Sequence, residues 1–273
     1  MTSVDLPYID AEIERMDDGG VPPAYLRHFH WGLFADPDLA DDSTERYLAA
    51  AEAMTERVIT AGEVADGRRV LDVGCGFGGT LDLIRARHPA SALAGINIDE
   101  RQLRWARRLV NGDAISFTTA DGCKLPIADA SVDHVLAVEC VFHFPSRKQF
   151  FREAARVLRP GGTLALSDFL LRPGAVAQVA ATLQSAGLGD WYGKSASPFS
   201  SAGYQRMARG VGFEVLVDED VTARTLPTYP AMRRIYQESG DAAGASTIDG
   251  VEQLARAGGW EYHVLAFRKQ AGG

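Results

Sequence analysis

Residues 70–79 read Val-Leu-Asp-Val-Gly-Cys-Gly-Phe-Gly-Gly, an apolar run that passes directly into a glycine-rich loop. The run Val70–Val73 predicts a buried strand, and Thr80–His88 after the loop predicts a helix that stops at Pro89. Glycine lets the backbone turn sharply and lets a ligand approach without a clash against Cβ. A strand, a glycine loop and a helix in this order are typical of a site that holds a nucleotide-like ligand.

One acidic residue narrows the class of ligand. The spacing of Gly74, Gly76 and Gly79 also fits dinucleotide-binding loops, which place a pyrophosphate at the helix N-terminus. Asp72 lies two residues before Gly74, inside the strand, where its carboxylate would repel a phosphate. It favours a ligand with an ammonium group and no phosphate, although a dehydrogenase stays a distant alternative. The fuller pattern, acidic-x-Gly-x-Gly-x-Gly, is completed by Gly78.

Short apolar runs alternate with helical segments on both sides of this loop. Further strands are predicted at Ala92–Ile98, Ile115–Thr119, Val132–Val138, Thr163–Leu170, Phe213–Asp218 and Tyr262–Phe267. The helices Glu100–Val110 and Arg147–Leu158 separate two pairs of them. This alternation predicts an α/β fold with a seven-stranded, mostly parallel sheet and helices on both faces.

The chain divides into four parts of one overall domain. Residues 1–66 are predicted to form an N-terminal helical cap, in which Ser43 caps a helix over Thr44–Ala61. Residues 67–170 form the ligand-binding core. Residues 171–200, rich in Gly and Pro and containing Trp191 and Tyr192, are predicted to be an inserted lid. Residues 201–273 complete the sheet.

Composition limits the partners and the compartment. The chain has 273 residues, 23% of them charged, and a formal net charge of −8, which disfavours nucleic acid and anionic membranes as partners. No apolar run is long enough for a transmembrane helix, and the N-terminus does not resemble a signal peptide. Three cysteines without regular spacing, Cys75, Cys123 and Cys140, suggest neither disulfides nor a metal site, so we expect a cytoplasmic protein without a metal.

The glycine loop resembles motif I of class I S-adenosylmethionine-dependent methyltransferases, and two further stretches match that family in order. Ala120–Pro126 resembles its "AD-x-x-x-LP" motif, and Arg156–Gly162 its "RVLRPGG" motif. The resemblance implies a Rossmann-like fold that binds S-adenosylmethionine and releases S-adenosylhomocysteine. It assigns the adenine amino group to Asp121 and the edge of the ring to the backbone at Gly122 and Cys123. The loop residues it assigns to the cofactor are Asp72, Gly74, Cys75, Gly76 and Gly78.

The second strand resembles a subgroup of this family. Most class I members end that strand with an acidic residue for the ribose hydroxyls, whereas this chain has Asn97, followed by Ile98. Asp99 is expected to be the N-cap of the next helix. A neutral residue followed by a Gln, here Gln102, is similar to cyclopropane-fatty-acid synthases, tocopherol methyltransferases, geranyl diphosphate C-methyltransferases and the rebeccamycin sugar O-methyltransferase. By that likeness Asn97 and Gln102 contact the ribose and adenine, although a plain helix-surface role for Gln102 stays open.

The N-terminal stretch His30–Phe34 resembles the "H-x-G-Y-W" segment of the same subgroup, which folds over the cofactor. Its ring at Trp31 would be attracted to a sulfonium, although ordinary packing is an alternative. The residues expected to contact substrate are Tyr8, His28, His30, Trp191 and Tyr192.

The candidate catalytic residues lie after the fourth strand and near the end of the fifth, and the carboxyl ends of these strands face the ligand crevice of an open parallel sheet. Related O-methyltransferases carry His-His where this chain has Phe142-His143. His143 is the candidate general base, with Asp168 expected to face and orient it. Glu139 is a third catalytic candidate and is also expected to contact the cofactor. A structural role for His143 stays open.

These features predict a methyltransferase that acts on a small-molecule acceptor, at oxygen, in natural-product biosynthesis. Methylation at carbon or nitrogen on the same scaffold stays open. So does a methyltransferase-like protein that catalyses another reaction, such as a cyclisation.

Overall fold

A computed structural model describes residues 6–18, 23–110, 114–172, 174, 175, 179 and 199–271. Seven strands form one sheet in these residues: β1 Arg69–Val73, β2 Ala92–Asn97, β3 Ile115–Thr119, β4 Val132–Val138, β5 Leu158–Leu171, β6 Phe213–Asp220 and β7 Trp260–Lys269. Their order across the sheet is β3-β2-β1-β4-β5-β7-β6. All pairings are parallel except those of β7 with β5 and with β6. The predicted α/β fold is therefore confirmed.

Helices surround this sheet, and an N-terminal group covers one end of it. The helices are α1 Pro7–Asp17, α2 Pro23–Arg27, α3 Thr44–Ala61, α4 Gly79–Arg87, α5 Glu100–Leu109, α6 Arg147–Val157, α7 Ser201–Arg209, α8 Thr222–Thr225, α9 Thr228–Glu238 and α10 Ala242–Arg256. Helix α3 contacts β4, β5 and β7. Its N-cap is Ser43, whose side chain accepts a hydrogen bond from the backbone N–H of Arg46, as predicted.

Apolar side chains alternate between the two faces of the sheet. The neighbouring β5 residues Leu164 and Ala165 belong to two different buried clusters, one on each face. Burying both faces is typical of a sheet that carries crossover helices.

The sheet opens a crevice where its connections change direction. From β1 the chain moves outward to β2 and β3, and it then returns to place β4 on the other side of β1. The carboxyl ends of β1 and β4 therefore meet beside a crevice that helices do not fill, which is where open α/β sheets bind ligands.

The two ends of the insertion after β5 lie next to each other. The backbone N–H of Leu171 donates to the carbonyl of Phe199 at 2.9 Å. Trp191 and Tyr192 lie outside the described residues, so their predicted contact with substrate stays a prediction. Within the described part of the chain, no helix is both long and apolar enough to cross a bilayer.

Candidate active site

A pocket of about 640 Å³ lies at the carboxyl ends of β1, β2 and β4. The predicted site residues that line it are Asp72, Gly74, Cys75, Gly76, Asn97, Ile98, Gln102, Asp121, Gly122, Glu139, Tyr8, His30 and His143. Its volume is in the range of pockets that hold a drug-sized ligand.

The glycine loop leaves room for a ligand at Gly76. This residue has φ +51°, and a Cβ built on it would meet nothing within 4 Å. Gly74 is different, because a Cβ there would lie 2.6 Å from the sulfur of Cys140. Gly78, the N-cap of α4, does not line the pocket, and a Cβ built on it would meet Val110 and Phe117. This geometry does not support the predicted cofactor contact of Gly78, and the next glycine, Gly79, lines the pocket.

Asp72 presents a carboxyl group that forms no ion pair with any of the described residues. The residue is 2% exposed, and its buried Oδ2 accepts no hydrogen bond within the described part of the chain. Burial raises the pKa of Asp72 to about 7. An unpartnered carboxylate that lines a pocket suits a ligand ammonium group, so this site fits the amino-acid part of S-adenosylmethionine.

The end of β2 carries a linked pair of amides. Asn97 Nδ2 donates to Gln102 Oε1 at 2.6 Å, and Asn97 Oδ1 accepts from the N–H of Ile98 at 2.7 Å. Both amide side chains are buried and line the pocket. Gln102 is therefore not on an exposed helix surface. Asp99 is the N-cap of α5, as predicted, through a 2.8 Å bond from the N–H of Arg101.

The loop after β3 brings only two of its three predicted residues to the pocket. Asp121 lines it and accepts from the backbone N–H of Cys123 at 2.8 Å. Gly122 packs closely on Phe144 and also lines it. Cys123 does not line the pocket, because its thiol points to the carbonyl of Ser146 at 3.3 Å. The predicted cofactor contact of Cys123 is through its backbone, whose N–H donates to Asp121, so that contact stays a prediction.

His143 lies in the short 3-10 helix Val141–His143 that follows β4. Its Nε2 is 2.8 Å from the hydroxyl of Tyr8 on α1, and the two rings stack. Its Nδ1 is buried and has no hydrogen-bond partner in the described residues. Burial, and then the nearby Arg147, lower the pKa of His143 to about 4, so the imidazole is neutral near pH 7.

Asp168 does not orient His143, so that prediction is wrong. Its buried carboxylate instead accepts from Arg147 at 3.3 Å and from the hydroxyl of Tyr204. The Asp168 side chain belongs to this ionic cluster because Arg147, at the start of α6, is itself buried and needs a counter-charge. Asp168 does not line the pocket.

Glu139 lies at the end of β4 with φ +47°, a backbone conformation that L-residues rarely adopt. Its Oε2 accepts from the N–H of Trp31 at 2.9 Å and from the hydroxyl of Tyr262. The hydroxyl of Tyr262 also lies 3.1 Å from Ser167 Oγ. Burial raises the pKa of Glu139 to about 8. Sequence reasoning missed Tyr262, whose residue type alone gives no sign of this contact across the sheet.

His28 and His30 form a fixed hydrogen-bond chain. His30 Nδ1 must donate to the carbonyl of Trp31, 3.1 Å away, because a carbonyl only accepts. Burial lowers the pKa of His30 to about 4, so its Nε2 is unprotonated and accepts from Thr55 at 2.9 Å. Thr55 then accepts from His28 Nδ1 at 3.0 Å. His28 does not line the pocket, which argues against its predicted contact with substrate.

The indole of Trp31 lies behind the pocket rather than over it. It packs edge-on against Phe169 and Tyr229, with ring centroids 5.1 and 5.6 Å away. The position of the Trp31 indole therefore fits ordinary packing, the alternative interpretation, better than a contact with a sulfonium. Trp31 lines a separate small cavity that also borders Glu139.

A group of possible cation ligands lies on β6 and β7, which sequence spacing did not suggest. Ligand atoms of Asp220, Glu261 and His263 lie within 4.8 Å of one another. Neither of the two cavities is lined by any of the three. His263 is already bonded to Asp218 at 2.7 Å, and Glu261 to Arg172 at 2.9 Å.

Comparisons with known proteins agree with the pocket. Residues 71–166 match the model of a methyltransferase domain. The methyltransferase GfsG of Streptomyces halstedii is 35% identical over 212 residues, which cover 76% of this chain and 73% of the relative. The chain belongs to the S-adenosylmethionine-dependent methyltransferases. Its cofactor is S-adenosylmethionine.

Two further proteins are similar over most of their length. The 27-O-demethylrifamycin SV methyltransferase of Amycolatopsis mediterranei is 33% identical, covering 75% of this chain and 72% of the relative. A crystal structure of geranyl diphosphate C-methyltransferase from Streptomyces coelicolor A3(2) superposes with a TM-score of 0.72 at 18% identity. It covers 98% of this methyltransferase and all of the neighbour, which supports the Rossmann-like fold.

Proposed function

We propose that this methyltransferase methylates a hydroxyl group of a small, partly apolar molecule in natural-product biosynthesis. The observation that carries the proposal is the neutral imidazole of His143, held 2.8 Å from Tyr8 in the same pocket as Asp72. An oxygen acceptor needs a base, whereas an amine acceptor needs only its lone pair. The relative named for 27-O-demethylrifamycin SV supports an acceptor of this class.

The cofactor half of the pocket is assigned by its donors and acceptors. We infer that Asp72 holds the ammonium group and that Asp121 accepts from the adenine amino group. Asn97 and Gln102 lie on the ribose side of the pocket. Gly76, which has no side chain, lets the cofactor come close to the loop backbone. When bound, S-adenosylmethionine supplies an electrophilic methyl group on a positively charged sulfur.

In the half of the pocket that binds the acceptor, one proton must leave the acceptor's hydroxyl group. His143 donates its Nε2 hydrogen to the Tyr8 oxygen, which leaves Nδ1 as the unprotonated nitrogen. Nδ1 would take the hydroxyl proton as the acceptor oxygen bonds to the methyl carbon and the carbon–sulfur bond breaks. Tyr8 keeps the ring in place, because its hydroxyl is bonded to Nε2 and burial raises the pKa of that phenol, which stays protonated. The cap helix α1 helps to exclude water through Leu6 and Ile9, which line the pocket. Alignment of the acceptor to within about 3–3.5 Å supplies much of the remaining rate.

Methylation at carbon or nitrogen, and a reaction without methyl transfer such as cyclisation, stay the alternatives. A carbon acceptor would also need a base, so the presence of His143 alone does not distinguish methylation at carbon from methylation at oxygen. We also propose a cytoplasmic location, which the three unpaired cysteines support.

A panel of small acceptors tests the proposal. Purified enzyme is incubated with methyl-labelled S-adenosylmethionine and with matched hydroxyl, amine and activated-carbon compounds. Mass spectrometry detects the gain of a methylene unit, and carbon NMR locates the label. We expect a methyl ether. A labelled N-methyl or C-methyl product would replace the proposal with one of the alternatives.

A further inference from the structure

A second, much smaller cavity lies next to the large pocket. Its volume is about 30 Å³, close to the space of one water molecule or one hydroxyl group. Both cavities are bordered by Tyr8, Phe29, His30 and Glu139, so the two are neighbours. The remaining walls of the small cavity are Trp31, Phe142, Met232, Tyr236 and Ile248.

Glu139 is the one carboxyl group among the described residues that line this small cavity. Both hydrogen bonds to its side chain, from Trp31 and from Tyr262, go to Oε2. In the described part of the chain Oε1 has no hydrogen-bond partner, and the residue is partly exposed. Glu139 therefore has one occupied carboxyl oxygen and one available oxygen, next to a space for a single polar group.

The fold tolerates backbone strain to place this carboxyl group. A non-glycine residue at φ +47° is strained, because its Cβ crowds the following carbonyl oxygen. Strain of this kind is maintained where the surrounding structure fixes it, and it concentrates at functional sites. Here the N–H of Glu139 is fixed by Ser167, whose carbonyl oxygen is 3.0 Å away.

The charges around both cavities disfavour an anionic acceptor. Arg27 is the one Lys or Arg among the described lining residues, and it is already paired with Asp82. His30 and His143 are neutral, since burial lowers the pKa of each to about 4. Phosphate and carboxylate groups are normally held by such cations, and none is available here in the described residues.

We propose that the small cavity receives one uncharged hydroxyl group of the acceptor, and that Glu139 is the residue that selects for it. The acceptor is then a neutral, largely apolar molecule with two oxygen functions. One oxygen lies at His143 and receives the methyl group, and the second binds at Glu139. The inference rests on the proposed function for the assignment of the reacting oxygen, whereas the binding preference does not depend on it.

Three matched probes test this preference by binding alone. 4-Methylcatechol is neutral with two hydroxyl groups, 4-methylphenol is neutral with one, and 3,4-dihydroxybenzoate carries two hydroxyl groups and a carboxylate. Each is titrated by calorimetry and by NMR, at up to millimolar concentration, into the protein saturated with S-adenosylhomocysteine. We expect 4-methylcatechol to bind about tenfold more tightly than either of the other two probes.

Glu139→Gln tests the role of the carboxyl group while leaving the fold intact. The titrations are run at pH 8.5, above the pKa of about 8 of Glu139, so that Oε1 of the unaltered protein is an acceptor. The amide oxygen of Gln still accepts from Trp31 and Tyr262, but an NH₂ group, which only donates, replaces Oε1. We expect the advantage of 4-methylcatechol over 4-methylphenol to fall to about twofold or less, with an unchanged affinity for S-adenosylhomocysteine. Glu219→Gln is the matched control, because Glu219 on β6 pairs with Arg57 and lines neither cavity. It should behave as the unaltered protein does.

Each other outcome counts against the inference. Equal binding of 3,4-dihydroxybenzoate, or an unchanged probe ratio in Glu139→Gln, would overturn it. So would a loss of S-adenosylhomocysteine affinity in Glu139→Gln, which would make Glu139 a cofactor residue. Failure of both neutral probes to bind would also overturn it, because a site for a hydroxyl group should hold a phenol at millimolar concentration. If only the proposed function is wrong, 4-methylcatechol should still bind selectively but should not become a methyl ether.

Discussion

The hydroxyl of Tyr8 lies 2.8 Å from Nε2 of His143, although 135 positions separate the two residues in the chain. Their rings stack with centroids 5.7 Å apart. Through this contact the N-terminal helix α1 becomes part of the site rather than a simple cover. The candidate base is therefore positioned by the cap, and not by the carboxylate at the end of β5.

Replacing Tyr8 by Phe should slow methyl transfer. The ring can still stack on Phe29, but the hydrogen bond to His143 is lost, so we expect kcat to fall by about tenfold. The affinity for S-adenosylhomocysteine should not change. Tyr25→Phe is the control, because the buried hydroxyl of Tyr25 has no hydrogen-bond partner in the described residues and does not line the pocket. Equal kcat values for the two variants would contradict the role of Tyr8.

Replacing Gly76 by Ala should abolish cofactor binding. The new methyl group would enter the space that the loop leaves for the ligand, and the positive φ would add about 1–2 kcal/mol of strain. Gly67→Ala separates the two effects, because Gly67 has φ +73° and equally open surroundings but lies outside the pocket. We expect both variants to lose similar stability by thermal unfolding. Calorimetry should show lost S-adenosylhomocysteine binding only for Gly76→Ala, and intact binding there would refute the assignment.

Cofactor affinity should rise with pH because of Asp72. Burial raises the pKa of this carboxyl group to about 7 in the free protein, and a bound ammonium group would lower it. Binding then releases a proton wherever the free protein still holds it, so affinity increases from about pH 6 to pH 7.5. Asp72→Asn should remove this dependence and weaken binding by about a hundredfold at the upper pH. Calorimetry at several pH values measures both effects, and a flat profile in the unaltered protein would exclude the Asp72–ammonium contact.

Replacing Asp168 should affect stability and leave the chemistry intact. Asp168→Ala leaves the buried guanidinium of Arg147 without its counter-charge, which costs about 3–5 kcal/mol of unfolding free energy. A double variant, Arg147→Met with Asp168→Leu, should recover much of that loss. Urea unfolding measures the stability, and kcat per folded molecule measures the chemistry. A stable Asp168→Ala protein with a large loss of kcat would restore Asp168 as a catalytic residue.

Most of the fold could be predicted because its signals are local. The parallel core follows from apolar runs and helices that alternate within about thirty residues of each other, as βαβ units require. The place of β7 does not follow, because Thr163 pairs with Arg268 across a long stretch of chain. Nothing in the β7 sequence itself distinguishes an antiparallel neighbour of β5 from an edge strand.

The residues of the candidate site are likewise predictable only where the sequence signal is local. Asp72, Asn97 and Glu139 were predictable because strand ends in a parallel sheet face the crevice. Sequence spacing does not show which neighbours a residue packs against, which is why the glycine pattern assigns Gly78 to the cofactor although Gly78 lies against Val110 and Phe117. The partner of Asp168 was also not predictable, since Arg147 had no pattern that marked it as buried.

The most direct test of the central claim is methyl transfer by His143→Ala, with an acceptor found in the hydroxyl panel. If His143 takes the acceptor's proton, kcat should fall by about a hundredfold or more, with S-adenosylhomocysteine affinity unchanged. The loss should diminish at high pH, where the acceptor ionises without a base. A variant with nearly full activity at neutral pH would contradict the account.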